Sequence, residues 1–288
     1  MAAKRKDAAR LIVEVRWGLM QGHKVSCAAG QRLTIGRAAG NDIVVAHDEE
    51  MAAHQLELRW DGRACALAHR GDEVETLLGG EACLAGEVTH GAWLRAGGTD
   101  FSVYFEDQVP PPRARDDDAR ARAEAALATL DSEPGMLYAV VDAARDDRVL
   151  ELLRQSVEPY RSLYDGVEGE TMAEAAPHLV GVPAGSRLRA ALVHEGWGLR
   201  WASYLRSEKP LLELRRHLRQ FLMVQLEAGA DPVYFRYYDP EVLRVYMRSC
   251  DAEERRPWFA GAITEIVVED VTAGHACARF GPAPDPGT

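Results

Sequence analysis

Three consecutive prolines, Pro110 to Pro112, divide the chain into halves of different patterning. Each fixes φ and removes a backbone donor, so neither a helix nor a sheet ladder runs through this point. Asp116-Asp117-Asp118 follows, then an Ala/Arg/Glu stretch to Leu130, and the segment closes at Pro134-Gly135. Acidic residues ahead of alanine-rich sequence favour a short helix. Leu127 and Leu130 give it only a thin apolar face, so residues 107–135 are expected to be a solvated linker. A chain of 288 residues accommodates two domains. The break sets their bounds at 10–106 and 136–271, with a frayed Gly/Pro-rich tail over 272–288. On this reading the halves fold separately about a hinge at 109–132, and proteases cut first between Arg113 and Arg122.

The first half reads as β. Leu11 to Val15, Arg32 to Ile35, Gln55 to Trp60, Ala64 to Ala68 and Phe101 to Phe105 are short apolar or alternating runs. Asp61-Gly62, Gly79-Gly80 and Gly97-Gly98 supply turns between them. Closely spaced short strands with turn signals predict an all-β sandwich.

Within it, Gly36-Arg37, Asn41-Asp42-Ile43-Val44, His54 and Phe101-Ser102-Val103 occur in an order that resembles a forkhead-associated (FHA) domain. The resemblance implies a loop surface that reads phosphothreonine near Gly36-Arg37 and His54. Here the family's usual Ser and Arg, three and two residues before His54, are Met51 and Ala52. A later loop that usually reads Asn-Gly reads Val74-Glu75. In a phosphate reader Arg37 would pair bidentately with the ligand. The side chains of Met51, Ala52 and Val74 offer phosphate no hydrogen bond, and Glu49, Glu50 and Glu75 repel a dianion. Losing two or three such bonds, at roughly 1–3 kcal/mol each, removes most affinity. The expectation is a phospho-independent docking module; the alternative is a phosphothreonine-dependent signalling scaffold. Arg37 and His54 also have structural readings, as a loop brace and a packed ring respectively.

The second half alternates. Strands are predicted at 136–141, 160–164, 179–182, 201–205, 222–226, 233–237 and 263–268. Helices are predicted at 145–155, 187–195 and 211–221, with another starting at Pro240 behind an Asp239 cap. Alternation of this kind predicts an α/β domain. Ordered along it are Leu137-Tyr138-Ala139-Val140-Val141-Asp142, Pro159 to Gly166, Ala176-Pro177-His178-Leu179-Val180, Glu195-Gly196-Trp197-Gly198, Leu214 to Arg219 and Phe235 to Leu243. Together these segments resemble a bacterial family whose characterised members are adaptor chaperones of type VI secretion effectors. The resemblance implies that residues 136–271 hold an effector protein and load it onto the VgrG spike. Trp197, Arg236 and Tyr238 are candidate partner contacts, since Trp, Tyr and Arg dominate binding hot spots. Each also has a structural reading: Trp197 in the core, and Phe235 to Pro240 as a capped strand-to-helix corner.

Composition narrows the partners. A net charge of -11 and a pI near 5.4 repel phosphate backbones, so nucleic acid is not expected. No apolar stretch approaches the ~20 residues that span a bilayer, so membrane insertion is not expected. Lys4, Arg5 and Lys6 precede no signal-length apolar core. Cys27, Cys65, Cys83, Cys250 and Cys277 form no C-x-x-C pair, which argues against zinc or a disulfide framework and for a cytoplasmic protein. No phosphate loop or nucleophile elbow is present, and His194-Glu195 does not continue into a zinc-protease pattern. His47 and His54 are too loosely placed to mark a metal site, and the Asp116–Asp118 and Asp146-Asp147 runs read as solvated surface. No catalytic, cofactor-binding or metal-ligating residue is assigned, and the chain is read as a binding protein rather than an enzyme.

Overall fold

A computed structural model describes residues 9–72, 74–164, 175–225, 231–270 and 277–282. Lys4 to Lys6, Asp165-Gly166, Leu226 and most of the tail beyond residue 272 lie outside the described residues. The chain forms two compact units, Met1–Pro111 with Arg154–Pro159, and Pro112–Leu153 with Tyr160–Thr288.

The first unit is a β-sandwich. Its strands are β1 (Leu11–Val15), β2 (Lys24–Cys27), β3 (Arg32–Gly36), β4 (Ile43–Val44), β5 (Leu56–Trp60), β6 (Cys65–His69), β7 (Thr76–Leu78), β8 (Glu81–Ala82), β9 (Ala85–Val88), β10 (Ala92–Ala96) and β11 (Thr99–Phe105). One sheet has the order β2-β1-β11-β10-β7-β8, the other β4-β3-β5-β6-β9. Neighbours pair antiparallel except β3 and β4, which run parallel. Alternation sends Leu33 and Ile35 of β3 and Leu56 and Leu58 of β5 inward, where they meet Phe101 and Val103 of β11. Trp60 closes one end of this core against Phe105, with ring centroids 4.7 Å apart. Its indole N–H donates to the Ala9 carbonyl at 2.8 Å, so burial leaves no polar group stranded.

The second unit contains helices α1 (Asp117–Asp131), α2 (Asp147–Gln155), α3 (Arg187–Gly196), α4 (Leu211–Arg219), α5 (Pro240–Ser249) and α6 (Ala252–Phe259). Its strands are β12 (Leu137–Asp142), β13 (Tyr160–Ser162), β14 (Pro177–Gly181), β15 (Ala202–Arg206), β16 (Met223–Val224), β17 (Val233–Tyr234), β18 (Glu265–Glu269) and β19 (Cys277–Phe280). Six of them form one sheet, β13-β14-β12-β15-β18-β19, and β16 pairs with β17 in a separate hairpin. Both faces of the main sheet are covered. Leu137, Ala139 and Val141 of β12 point to a core shared with α1, α2 and α3; Tyr138 and Val140 point to one shared with α4, α5 and α6. Burial on both faces explains why β12 reads as an unbroken apolar run. The helices and strands alternate as predicted, yet the sheet is antiparallel at each pairing.

Two boundaries are corrected. Residues 117–131 form the helix that the acidic and alanine-rich sequence favours, α1, capped by Asp116, whose side chain accepts from the Ala119 N–H, but it is packed rather than a solvated linker. Ala119, Ala123, Ala126 and Leu130 are buried along one stripe of it. Alanines carry little apolar signal in sequence, but they let two helices approach closely, and α1 packs on α3. Leader residues belong to the same unit: Arg115 donates to the Trp197 carbonyl at 2.6 Å, and Arg113 pairs with Asp146 at 2.8 Å. The supposed tail is also partly structured, since β19 pairs with β18 from Ile266↔Phe280 to Glu269↔Cys277. Proteolysis of the native chain is therefore expected ahead of Arg113 rather than within 117–131. A chain truncated to start at Ser132 is expected to lose its folded second unit, because burial of Leu130 alone is worth about 1.5–3 kcal/mol; circular dichroism of this truncation beside the full chain checks it.

Candidate functional site

In the first unit, the loops after β3, β4, β6 and β10 are tied into one surface by buried polar side chains. Gly36 makes the first approach possible: a Cβ there would lie 2.4 Å from the Ala53 carbonyl oxygen. The Arg37 and Ala38 amides then donate to the Ala52 and Ala53 carbonyls, each at 3.0 Å. Asn41 is buried and donates through Nδ2 to Ala38 and Ala53 carbonyls, both at 2.8 Å. Its Oδ1 lies 3.0 Å from His54 Nδ1, which must carry the proton since Oδ1 can only accept. Gln55 is fully buried; its Oε1 accepts from the Ala52 amide at 2.9 Å and its Nε2 donates to the Val74 carbonyl at 2.8 Å. Asp48 accepts from the Gly98 amide at 3.0 Å and from the Thr99 hydroxyl, joining the β10–β11 turn to the rest.

The four candidate ligand-loop residues are unequal in this setting. Arg37 is exposed, and its guanidinium pairs with no other described residue. Met51 is 1% exposed and packs in the sandwich core. Ala52 spends its amide on Gln55, and Val74 spends its carbonyl on the same side chain. Glu49, Glu50 and Glu75 are exposed. Exposed Arg37 and Arg70 thus share these loops with exposed carboxylates, and the Arg37, Ala38 and Ala52 amides are already engaged. His54 is an exposed brace rather than a packed ring. Asn41 belonged to the framework pattern, whereas nothing in the sequence pointed to Gln55 or Asp48. Replacing Asn41 with Ala removes its hydrogen bonds to the Ala38 and Ala53 carbonyls and to His54, which is expected to cost about 1–3 kcal/mol and to speed hydrogen exchange at the Arg37 and Ala38 amides.

In the second unit, Arg236 and Tyr238 sit on a cluster of arginines and buried carboxylates. Asp142, at the end of β12, is fully buried and accepts from Arg236 at 2.8 Å. Asp239 caps α5 by accepting from the Glu241 amide at 3.0 Å. It also receives Arg145 and both arms of Arg200, at 3.0 and 2.6 Å. Arg200 adopts a left-handed φ of 64°. That conformation lets its own amide, and that of Gly198, donate to Glu269 at 3.1 and 2.6 Å. Burial pushes the Glu269 carboxyl above its usual range despite those two donors. Burial works in the same sense on Asp239, but the Arg200 hydrogen bonds and the Glu241 amide outweigh it and hold that carboxyl low. The arrangement fastens the ends of β12 and β18, the 197–200 loop and the start of α5. Its carboxylates are committed to guanidiniums and backbone donors, so it reads as a clasp.

Two candidate contacts are corrected by burial. Trp197 is 4% exposed and lies 5.9 Å from Tyr204, inside the core. Tyr238 is 5% exposed, with its hydroxyl 3.1 Å from that of Tyr164. Arg236 is half exposed and stacks over the Tyr238 ring at 5.5 Å, so it alone of the three reaches the surface. Among the described residues no group of three His, Cys, Asp or Glu is placed to hold a metal ion, and no helix is long and apolar enough to cross a membrane. The five cysteines are free thiols.

Residues 137–257 match the family described as "Domain of unknown function (DUF4123)". A comparison with curated proteins finds no match. Among solved structures, the chain is similar to the FHA domain of an Arabidopsis thaliana hypothetical protein, with 19% identity and a TM-score of 0.34 over 40% of this chain and 98% of that one. It is also similar to the FHA domain of a Chlamydia trachomatis protein, with 14% identity and a TM-score of 0.31 over 33% and 96%. A third is the cytoplasmic domain of the T3SS sorting platform protein PscD from P. aeruginosa, with 21% identity and a TM-score of 0.30 over 37% and 98%.

Proposed function

We propose that the chain is a cytoplasmic, non-enzymatic adaptor of a type VI secretion system. Its second unit binds an effector protein and helps load it onto the VgrG spike, while its FHA-like unit docks a protein partner without reading phosphate. The observation that carries the adaptor reading is the family match at 137–257, over the stretch whose ordered motifs resemble the adaptor chaperones. The clasp is consistent with binding rather than catalysis, because its carboxylates are bound up by arginines and amides. Co-purification of the full chain with an effector and spike protein from the same secretion cluster tests the reading. Failure to retain either protein would sink it.

The phospho-independent mode rests on Met51 being core and on Ala52 and Val74 being engaged with Gln55. One observation favours the rival, phosphothreonine-dependent mode: Arg37 is exposed and pairs with no described residue. One such arginine, in loops that also expose Glu49, Glu50 and Glu75, supplies too little to hold a dianion. Calorimetry with phosphothreonine peptides is expected to show no saturable binding, and Arg37→Ala no change. Tight, phosphate-dependent binding lost in Arg37→Ala would select the rival.

A further inference from the structure

In the first unit, β9 is an edge strand with an open side. His69 donates to the Leu84 carbonyl at 2.8 Å, in register with the pairing of β6 and β9 from Cys65↔Val88 to Ala68↔Ala85. Alternation in an antiparallel ladder then turns the backbone groups of Gly86 and Val88 toward β6, and those of Ala85 and Glu87 away from it. Neither the outward amides nor the outward carbonyls meet another described residue. Ala85 and Glu87 are exposed, in a groove of about 1250 Å³ whose lining also includes Arg59, Ala66 and Ser26.

Several other edges are closed to pairing. β4 and β8 are two residues long. On β2 the outward positions are 24 and 26, and Lys24 is buried. In the second unit β13 turns the carbonyls of Tyr160 and Ser162 outward, and arginines take both: Arg161 at 2.8 Å and Arg215 at 2.6 Å. Among the described residues no side chain closes β9 in this way.

An occupant that satisfies these groups is an extended strand, because its donors and acceptors must recur at every second residue. Side chains set its character. Glu87 pairs with no other described residue. Along its row stand Ala66 and then Arg59, two strands away and held by Glu57. A residue added beside Glu87 therefore meets a carboxylate with no cation next to it, which suits Lys or Arg. On the other face Gly86 has no side chain, and a Cβ there would lie 3.0 Å from Cys83 Sγ and 3.5 Å from Leu78. An apolar side chain opposite Gly86 falls on the side of these two partly buried residues. A second copy is a poor occupant. Pairing about Gly86 would set each Glu87 against Ala85 and leave both carboxylates without a cation, between chains that each carry -11.

We propose that the β9 edge of the FHA-like unit binds an extended segment of a partner protein by strand addition, with a basic residue beside Glu87 and an apolar residue opposite Gly86. This rests on reading the unit as a phosphate-independent docking module, and supplies the mode of docking.

Amide exchange followed by NMR on the full chain tests it, with a nine-residue peptide of alternating Thr and Val whose central Thr is replaced by Lys. In the free chain the Gly86 and Val88 amides are expected to exchange slowly and those of Ala85 and Glu87 fast. Saturating peptide should slow the second pair about tenfold or more. The same peptide with Glu in place of Lys should bind about fivefold more weakly, and Glu87→Lys should reverse that order. Ala85→Pro deletes an outward N–H and no ladder bond, so it should weaken binding about tenfold while Gly86 and Val88 stay protected. No slowing at Ala85 and Glu87, or an unchanged peptide preference in Glu87→Lys, would overturn the proposal. So would protection of these amides already present in the free chain. If deleting residues 1–8 removes that protection, the edge belongs to the chain's own Lys4-Arg5-Lys6 segment; if dilution removes it, to a second copy. The two readings fail separately. Phosphothreonine binding lost in Arg37→Ala would sink the phosphate-independent reading without altering exchange at β9, whereas a chain that retains effector and spike but shows no peptide effect at β9 refutes the edge alone.

Discussion

Replacing Arg148 by methionine is expected to destabilise the second unit by about 3–5 kcal/mol, the cost of leaving a buried charge without its partner. Arg148 and Glu195 have side chains only 4% and 1% exposed, and Nε and Nη2 reach the two carboxylate oxygens at 3.1 and 3.2 Å. Glu151 takes the remaining arm at 3.3 Å, but it is half exposed and its loss would be solvated. Without Arg148, the nearest cation to Glu195 described is Arg113, whose Nε stands 4.0 Å away. Methionine fills most of the arginine volume, so the loss is electrostatic rather than a cavity. In calorimetry of the full chain one transition should fall by roughly 10 °C, at about 2–4 °C per kcal/mol for a unit of this size, and the other should stay. Adding Glu195→Leu should recover most of the loss, because a buried ion pair is worth little over a packed apolar pair. A single variant that melts like the wild type would show that water reaches Glu195.

This pair also shows where sequence reading stops. Arg148 and Glu195 lie 47 positions apart, on α2 and α3, and neither stands out among the charged residues of an acidic chain. The same holds for Gln55 and for Arg200, whose roles arise from contacts across loops. What was legible was periodicity: the alternation of β3, β5 and β11 predicted a sandwich, and the apolar run at 136–141 predicted a strand, which the structure buries on both faces as β12. Asp239-Pro240 marked the start of α5 because cap and first-turn proline act locally. Segments failed where the local signal was weak. Helix α1 buries alanines, β19 follows a Gly-containing stretch, and α6 reads Ala-Glu-Glu-Arg-Arg-Pro-Trp-Phe, with a proline inside and charge over half of its length. Among the candidate sites, aromatic identity misled. Trp197 and Tyr238 are hot-spot residue types, but the strands beside them needed core, and Leu212, Met223 and Tyr234 were left outside instead.

Trp258→Ala should lower stability by about 3–5 kcal/mol, the range for removing a large aromatic from a core, and should loosen the hairpin as well. Trp258 is 1% exposed at the end of α6. It stacks on Phe221 with centroids 4.0 Å apart and an interplanar angle of 12°, and meets Tyr237 edge-on at 5.2 Å. Phe235 and Tyr246 complete the surround at 6.4 and 5.9 Å. Its carbonyl accepts from His217 of α4 at 2.9 Å, so α4 and α6 are joined there by backbone as well as ring. Phe221 immediately precedes Leu222, whose carbonyl accepts the Phe235 amide at 2.8 Å, and this bond closes the base of the β16–β17 hairpin. The ring that anchors the core therefore also sets the position of Met223 and Tyr234. Trp258→Phe keeps a planar stacking partner and should cost less, about 1–2 kcal/mol by lost area, with the hairpin retained. Hydrogen exchange distinguishes the two variants. In Trp258→Ala the Phe235 amide should exchange faster by a larger factor than amides of β12. Uniform acceleration across the second unit would mean instead that Trp258 supports the whole core equally, with no separate hold on the hairpin.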